Sequence, residues 1–118
     1  MIKLSALLLA LAVCTAGAET LTAGPDGAPM SFQQALERAA DGDTIELLPG
    51  TYKGQVGVVT QRRLTIRGVG ARPVFDAGGA HAEGKAIWVV RDGDVTIDNV
   101  EFRGARVPDG NGAALRLD

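Results

Sequence analysis

Two groups of residues in this sequence have side chains suited to acid–base or metal chemistry. The first is His81, the only histidine, in a glycine-rich loop where Glu83 is near enough to form a general-base pair with it. The simpler interpretation is a solvated loop histidine. The sequence has one histidine and one cysteine, so it contains no cluster of the type that binds a transition metal.

The second group is acidic. Asp92, Asp94 and Asp98 carry carboxylate oxygens, which are the ligands that calcium prefers. Asp94 and Asp98 are separated by roughly 13 Å in an extended strand, so these two carboxylates do not by themselves form a site. The alternative is that all of these acids are ordinary turn and surface residues. We predict no cofactor, because the pattern does not by itself support calcium.

Arginine and tryptophan are the candidate binding residues. A guanidinium group pairs bidentately with a uronate carboxylate, so an arginine-lined groove would bind an acidic polysaccharide. Arginine is equally an ordinary residue at outward strand positions. Trp88 would supply a platform for a sugar ring if it faces outward, but its strand is entirely apolar and slightly favours a core position. The candidate substrate-binding residues are Arg67, Trp88, Asp98, Arg103 and Arg116.

The first 18 residues have the form of an export signal. Lys3 supplies a positive charge, Leu4–Val13 is an apolar run of about ten residues, and Ala16-Gly17-Ala18 is a cleavage signal. The run is too short to span a bilayer, which takes roughly 20 residues. A lipoprotein signal ending at Cys14 is the alternative, although Val13 fits poorly before the cysteine. We therefore predict an exported protein, periplasmic or extracellular, with no membrane segment after cleavage.

Removal of residues 1–18 from the 118-residue chain leaves 100 residues, enough for a single domain over 19–118. The only cysteine is lost with them, so the mature chain forms no disulfide. Loss of Lys3 reduces the 12 basic residues to 11 against 14 acidic ones. Without a basic patch, the sequence argues against nucleic-acid binding.

A single amphipathic helix is predicted over 31–41. Ser31 is suited to the N-cap, Gln34 completes a capping box, and Gly42 is suited to the position that follows the helix. Apolar residues recur at helical spacing and form one stripe. A helix of this length does not persist alone in water, so its stripe must pack on the strands that follow. The stripe consists of Phe32, Ala35, Leu36 and Ala39.

Short strands separated by glycine-rich turns make up the rest of the chain. Leu64–Val69 and Val95–Val100 align without a gap, and Gly68 aligns with Asn99. Glycine and asparagine are the residues that most readily take a left-handed backbone conformation, so this column predicts a sharp corner between two strands. Residues 109–112 are predicted as a turn.

The spacing of aliphatic residues favours a stack of coils. Ile45, Ile66, Ile97 and Leu117 are separated by 21, 31 and 20 residues, which suits a solenoid coil with one longer loop around His81. An antiparallel sandwich is the alternative, because Asp92-Gly93 between two apolar runs is also typical of a hairpin.

The segment from Asp41 to Tyr52, Asp-Gly-Asp-Thr-Ile-Glu-Leu-Leu-Pro-Gly-Thr-Tyr, resembles the first coil of right-handed parallel β-helix proteins of the pectin-lyase-like superfamily. Val95–Phe102 is similar to a generic β-helix repeat, with Asn99 at its turn. The resemblance covers about 31–118. It implies an all-β, right-handed parallel β-helix of about three coils over 43–118, with an N-terminal capping helix at 31–41.

The resemblance implies less about activity, since the superfamily includes polysaccharide lyases, hydrolases, epimerases and adhesins. Families of this type have more coils than 43–118 can form. We therefore expect the N-terminal part of an exported, polysaccharide-interacting, lyase- or epimerase-like protein that is not catalytic as it stands. A non-catalytic structural or surface-interaction β-helix is the alternative. An uncapped last coil also predicts end-to-end self-association.

Overall fold

The computed structural model of the protein describes residues 17–106 and 112–118. All but the last two residues of the predicted signal, and residues 109–111 of the predicted turn, lie outside these ranges. The described chain forms one helix, α1, and ten short strands. In chain order they are β1 Thr20–Ala23, α1 Phe32–Arg38, β2 Thr44–Leu47, β3 Thr51–Lys53, β4 Gly57–Val59, β5 Arg63–Gly68, β6 Val74–Asp76, β7 Ala86–Val90, β8 Asp94–Asp98, β9 Glu101–Arg103 and β10 Ala113–Leu117.

Three sheets run along the stack, in the orders β1-β2-β5-β8, β3-β6-β9 and β4-β7-β10, and we call them the first, second and third sheets. Each coil gives one strand to each sheet, so β2-β3-β4, β5-β6-β7 and β8-β9-β10 are the three coils. Neighbouring strands pair in parallel in every sheet. The predicted fold, an all-β parallel β-helix of about three coils with one short N-terminal helix, is confirmed.

The antiparallel alternative is wrong for the segment on which it was based. β7 and β8 flank Asp92-Gly93, but they lie in different sheets and do not pair with each other. Asp92 takes a positive φ of 45° and turns the chain from one sheet to the next. Among the described residues, the antiparallel contact is an isolated bridge between Ala82 and Ala86.

The core is built from columns of inward residues that stack from coil to coil. Ile45, Ile66 and Ile97 form one such column in the first sheet, as their spacing predicted. Leu117 is not its fourth member, and that part of the prediction is wrong. It pairs with Val90 in the third sheet, because it belongs to the last strand of the third coil and not to a fourth coil.

The corner predicted from Gly68 and Asn99 has a different physical basis at each residue. Asn99 does take the left-handed conformation, with φ of 58°. Its side-chain amide nitrogen, Nδ2, donates to the carbonyl of Gly68 at 3.1 Å. Gly68 does not have a positive φ. A Cβ atom there would lie 2.3 Å from the carbonyl oxygen of Asn99 and 2.3 Å from Pro73. Close approach of the next coil, and not backbone conformation, requires this glycine.

Helix α1 begins as predicted. The Ser31 hydroxyl accepts from the Gln34 amide at 3.1 Å, and the Gln34 side chain accepts from the Ser31 amide at 2.9 Å, which forms the capping box. Phe32, at the start of the helix, also donates its amide to Gln55 at 3.1 Å, so the first coil holds this end of the helix in place.

The helix ends earlier than predicted, at Arg38, and Gly42 lies beyond it in the turn before β2. The Gln61 side chain donates to the carbonyls of Leu36 and Ala39 at 2.8 and 3.0 Å. Ala39 is already extended, with ψ of 137°. Hydrogen bonds from the Gln61 side chain therefore satisfy carbonyl groups that another helical turn would otherwise have satisfied.

The apolar stripe of α1 covers the first end of the stack. Phe32, Ala35 and Leu36 are buried against the strands β1, β2 and β4, which confirms the predicted packing. Phe32 reaches further and stacks on Trp88 with ring centroids 4.6 Å apart. The helix is therefore a cap for the solenoid, since it occupies the layer that a preceding coil would fill.

Asp43 fastens this cap to the first coil. Its buried carboxylate accepts from the amide of Glu19 at 2.9 Å and from that of Ala40 at 2.8 Å. These two backbone bonds outweigh burial and lower the pKa of Asp43 below its usual range, the bond from Ala40 most strongly. One side chain thus joins the segment before β1, the end of the helix and the start of β2.

Candidate functional site

The predicted binding residues do not form one site. Arg67 and Asp98 lie on the outer face of the first sheet, Arg103 is in the second sheet, and Arg116 is in the third. The three sheets are the three sides of the solenoid. A single polysaccharide chain in one groove therefore does not contact all of these arginines.

Each of these arginines is engaged by a nearby acid. Arg67 lies 2.6 Å from Glu46, and it donates from two nitrogens to the same oxygen. Arg103 and Arg116 pair with acids two residues away in their own segments, at 2.6 and 3.0 Å. All three guanidinium groups are about half exposed, so each pair contributes little to stability, on the order of 0–1 kcal/mol.

Trp88 lies in the core, the position that its apolar strand slightly favours, so the prediction that it binds a sugar ring on the surface is wrong. The side chain is fully buried and contacts Phe32, Phe75 and Phe102. Alternation along β7 could not reveal this, because every residue of that strand is buried. The outer face is covered by the loop before the strand, where Val89 packs on Ala82.

His81 has no acidic partner for general-base chemistry within the described residues. Its Nδ1 atom accepts from the amide of Gly84 at 3.0 Å, which closes a local turn. Glu83 instead pairs with Arg91, and the hydrogen bond from this guanidinium lowers the pKa of Glu83. The loop histidine is exposed, which agrees with the simpler interpretation of its sequence.

The acidic residues are not gathered for a metal. Among residues 17–106 and 112–118, no group of three or more His, Cys, Asp or Glu side chains could hold an ion. Asp118 binds Lys85 at 2.5 Å and Arg116 at 3.0 Å, and the bond from Lys85 most strongly lowers its pKa. Asp98 faces Arg67 on the neighbouring strand, so its column alternates in charge and does not collect carboxylates.

Charge alternation between coils is the arrangement that the sequence analysis missed. On the first sheet, Glu46, Arg67 and Asp98 are cross-strand neighbours, so that column reads negative, positive, negative. A second column on the same face pairs Arg63 with Asp94. The signal was present in the aligned repeat. When both segments are extended by one residue at their N-terminal ends, Arg-Leu-Thr-Ile-Arg aligns with Asp-Val-Thr-Ile-Asp.

The second sheet shows the same rule with the opposite phase. Lys53, Asp76 and Arg103 are successive members of one outward column, which reads positive, negative, positive. Among these cross-strand neighbours in the described residues, only Arg67 and Glu46 form an ion pair within 4.0 Å, at 2.6 Å. The outer faces therefore carry information about which strand lies next to which.

The second missed feature is the open end of the stack, formed by β8, β9 and β10. Leu115 and Leu117 are in register with the buried residues Trp88 and Val90 of the previous coil. They are nevertheless 37% and 73% exposed. These are core positions by direction, and they are exposed because no described layer covers them.

A shallow cleft of about 310 Å³ lies at this end. Apolar side chains of two coils line it beside one carboxylate. Its lining residues are Val90, Gly93, Asp94, Val95, Ile97, Leu115 and Leu117. A site of this composition suits an apolar side chain that arrives with a positively charged neighbour.

No family model matches this chain, and no curated protein and no solved structure matches it either. In the part of the chain that the structure describes, no helix is long and apolar enough to cross a membrane.

Proposed function

We propose that this protein is an exported, non-catalytic interaction β-helix, related to the pectin-lyase-like superfamily, whose last described coil receives a further layer of structure. Support for the relationship comes from the order of elements. The segment Asp41–Tyr52 that carries the resemblance runs from the turn after α1 through β2, a Pro-Gly turn and the start of β3. It thus occupies the first coil under a helical cap, the place that the resemblance implies for it.

The observation that carries the binding role is the exposure of core positions at one end only. At the capped end, Phe32, Ile45 and Tyr52 are fully buried, whereas Leu117 at the open end is 73% exposed. Exposed contiguous apolar surface marks interaction sites in soluble proteins. The outer faces support this role less well, because Arg67, Arg103 and Arg116 are already paired with acids.

A dye that fluoresces on exposed apolar surface tests this proposal directly. We expect the protein to bind the dye, and the double variant Leu115→Ser/Leu117→Ser to bind several-fold less. Leu48→Ser is the matched control, since Leu48 is 40% exposed but lies at the capped end. Equal losses in the double variant and the control would contradict the proposal.

A binding role also predicts no turnover of uronate polysaccharides. Incubation with a panel of these polymers should give no rise in ultraviolet absorbance from unsaturated chain ends. A reproducible rise would favour the lyase-like alternative and remove the binding proposal as stated.

Acidic-polysaccharide binding is the second candidate, and one observation favours it. β5 presents Arg63, Thr65 and Arg67 outward on one face, beside a cleft of about 220 Å³ that Arg63 and Thr65 line. Guanidinium groups on one strand face would bind carboxylates of a uronate chain. Titration calorimetry with polygalacturonate should show heat that the variant Arg63→Ala/Arg67→Ala loses, and absence of heat in the unmodified protein would end this candidate.

A further inference from the structure

The buried carboxylate of Asp43 has no cationic partner among the described residues. Asp43 is 5% exposed, and within residues 17–106 and 112–118 it forms no ion pair shorter than 4.0 Å. Its two hydrogen bonds come from neutral backbone amides, those of Glu19 and Ala40. Buried charges in proteins are normally paired with a charge of opposite sign. Asp43 thus lacks the counter-ion that its burial favours.

One of these two amides belongs to the residue that follows the predicted cleavage signal. Ala16-Gly17-Ala18 is that signal, so Glu19 becomes the first residue of the processed chain. The backbone nitrogen of Glu19 lies 2.9 Å from Oδ1 of Asp43, and the carbonyl of Glu19 accepts from the amide of Thr44 at 2.9 Å. Because the bond to Thr44 lies on the side of Glu19 that cleavage leaves intact, the nitrogen stays beside Asp43 after cleavage.

Cleavage changes the charge of this nitrogen. When a signal peptidase hydrolyses the peptide bond between Ala18 and Glu19, the carbon–nitrogen bond breaks and one water molecule is consumed. The water oxygen goes to Ala18, which leaves as a carboxylate with the leader. The nitrogen of Glu19 gains both hydrogens of the water and becomes an ammonium group. The carboxylate of Asp43 then faces a full positive charge in place of an amide dipole, at a buried position where water screens their attraction less than in bulk solution.

The surroundings of Glu19 have both the charge and the space for an ammonium group. A cleft of about 550 Å³ lies beside this residue. Three acidic residues and two arginines line it, so the precursor has one negative charge in excess there, and the ammonium group balances it. Gly17 and Ala18 also line the cleft and depart with the leader, which admits water to the remaining ammonium hydrogens. The charged lining residues are Glu19, Asp41, Asp43, Arg38 and Arg63.

We propose that removal of residues 1–18 completes a buried ion pair between the new α-ammonium group of Glu19 and the carboxylate of Asp43, which fastens the helical cap to the first coil. Asp43 also accepts from the amide of Ala40, just after α1, and directly precedes β2. A stronger bond to Glu19 therefore stabilises the junction of these segments, and the precursor has the weaker junction. The inference goes beyond the proposed interaction role and rests only on the proposed export.

The pair makes stability depend on pH in a direction that identifies it. A free α-amino group has a pKa of about 7.7–8.0. In the folded protein the carboxylate of Asp43 raises this pKa; Asp41 and the Glu19 side chain act in the same direction, and Arg38 and Arg63 oppose them. A group whose pKa is raised by folding contributes fully below its unfolded pKa, and its contribution is lost as the pH rises through the folded value. The pair therefore stabilises the protein fully at about pH 7 and less above about pH 8.

Blocking the α-amine tests the pair in the processed protein. The protein is exported from a bacterial host, its intact mass is measured, and its α-amine is acetylated in denaturant at about pH 6.5, where lysine side chains stay protonated. The acetyl group takes the place of the Ala18 carbonyl, so it keeps one N–H donor for Asp43 and removes the charge. We expect a mass that begins at Glu19. The refolded acetylated protein should unfold about 4–8 °C below the refolded free protein at about pH 7, with a smaller difference at about pH 9.5.

Two variants assign this difference to Asp43. In Asp43→Asn, the free and acetylated proteins should unfold at the same temperature. Asp41→Asn is the matched control and should retain the difference, because Asp41 lines the same cleft but accepts from the amide of Arg62. If circular dichroism shows that Asp43→Asn does not fold, the free and acetylated forms of the unmodified sequence at the two pH values decide the result.

Equal unfolding temperatures of the free and acetylated proteins, or a difference that persists in Asp43→Asn, would overturn the inference and leave the proposed export standing. A processed chain that begins at a residue other than Glu19 would also overturn the inference alone. Retention of residues 1–18 would remove the proposed export together with it. The interaction role is tested separately, by dye binding to Leu115→Ser/Leu117→Ser.

Discussion

Both ends of this solenoid have apolar core residues, but among the described residues a helix covers the first end and nothing covers the other. At the first end, α1 lies over the coil, Phe32 enters the aromatic core, and Asp43 ties the cap to β2. At the other end, core residues such as Leu117 are exposed to solvent. In a solenoid each layer contacts only its neighbours, so the environment of a residue depends on which coil holds it.

The aromatic column of the second sheet shows this gradient most clearly. Tyr52, Phe75 and Phe102 are successive members in register. Tyr52 and Phe75 are fully buried and stack with centroids 4.5 Å apart, whereas Phe102 is only partly buried. The same position in the coil thus changes from core to boundary over two layers.

The largest expected effect comes from comparing truncations in this column. Phe75→Ala should lower the free energy of unfolding by about 3–5 kcal/mol, because it removes a fully buried ring that contacts four other aromatic rings. Phe102→Ala should lower it by about 1–2 kcal/mol, since less buried surface is lost. Urea unfolding followed by fluorescence of Trp88 measures both, and equal losses would contradict the difference between the ends.

The next effect tests the attachment of the cap. Asp43→Asn should destabilise the protein by about 1–3 kcal/mol, because a neutral amide replaces a buried charged acceptor of two backbone amides. The folded-state pKa of Asp43 is lowered, so its contribution is complete above its ordinary pKa near 4 and is lost as the pH falls through the lowered value.

Unfolding curves at pH 7 and pH 3 measure this contribution. The stability difference between the protein and Asp43→Asn should shrink at the lower pH. Asp26→Asn provides the comparison at an exposed aspartate, and a similar pH dependence in both variants would argue against a special role for Asp43.

The smallest expected effect is at the helix N-terminus. Ser31→Ala removes the hydroxyl of the capping box and should destabilise the protein by about 1 kcal/mol. Thermal unfolding with the control Ser31→Asp, which keeps an acceptor, measures it.

Local chemistry made much of the fold predictable. Ser31 and Gln34 interact three residues apart, so the helix start could be predicted without knowledge of the rest of the chain. The coil register followed from the repeat, because stacked parallel strands place equivalent residues side by side. The helix end was missed, since the Gln61 side chain that donates to the final carbonyls is over 20 residues away.

The candidate site was far less predictable than the fold. The chemistry of arginine makes candidates of Arg67, Arg103 and Arg116. The turns between strands, however, place these residues in three different sheets. Corner geometry depends on contacts between coils, which a residue pattern does not specify. The alternating charges could have been found in the repeat itself, where Arg63 and Arg67 align with Asp94 and Asp98.

The sequence by itself determined the capped start and the complementary charges of neighbouring strands, because these depend on residues close in the chain or equivalent in the repeat. It favoured parallel coils, and the strand pairing excluded the antiparallel alternative. The tertiary structure decided which residues are core and which are surface. Trp88 is buried because it points into the core, where Phe32, Phe75 and Phe102 pack on its ring. Leu117 is exposed because no described layer packs on it. Gly68 is needed because Asn99 of the next coil approaches its α-carbon, a contact that exists only after the coils have stacked.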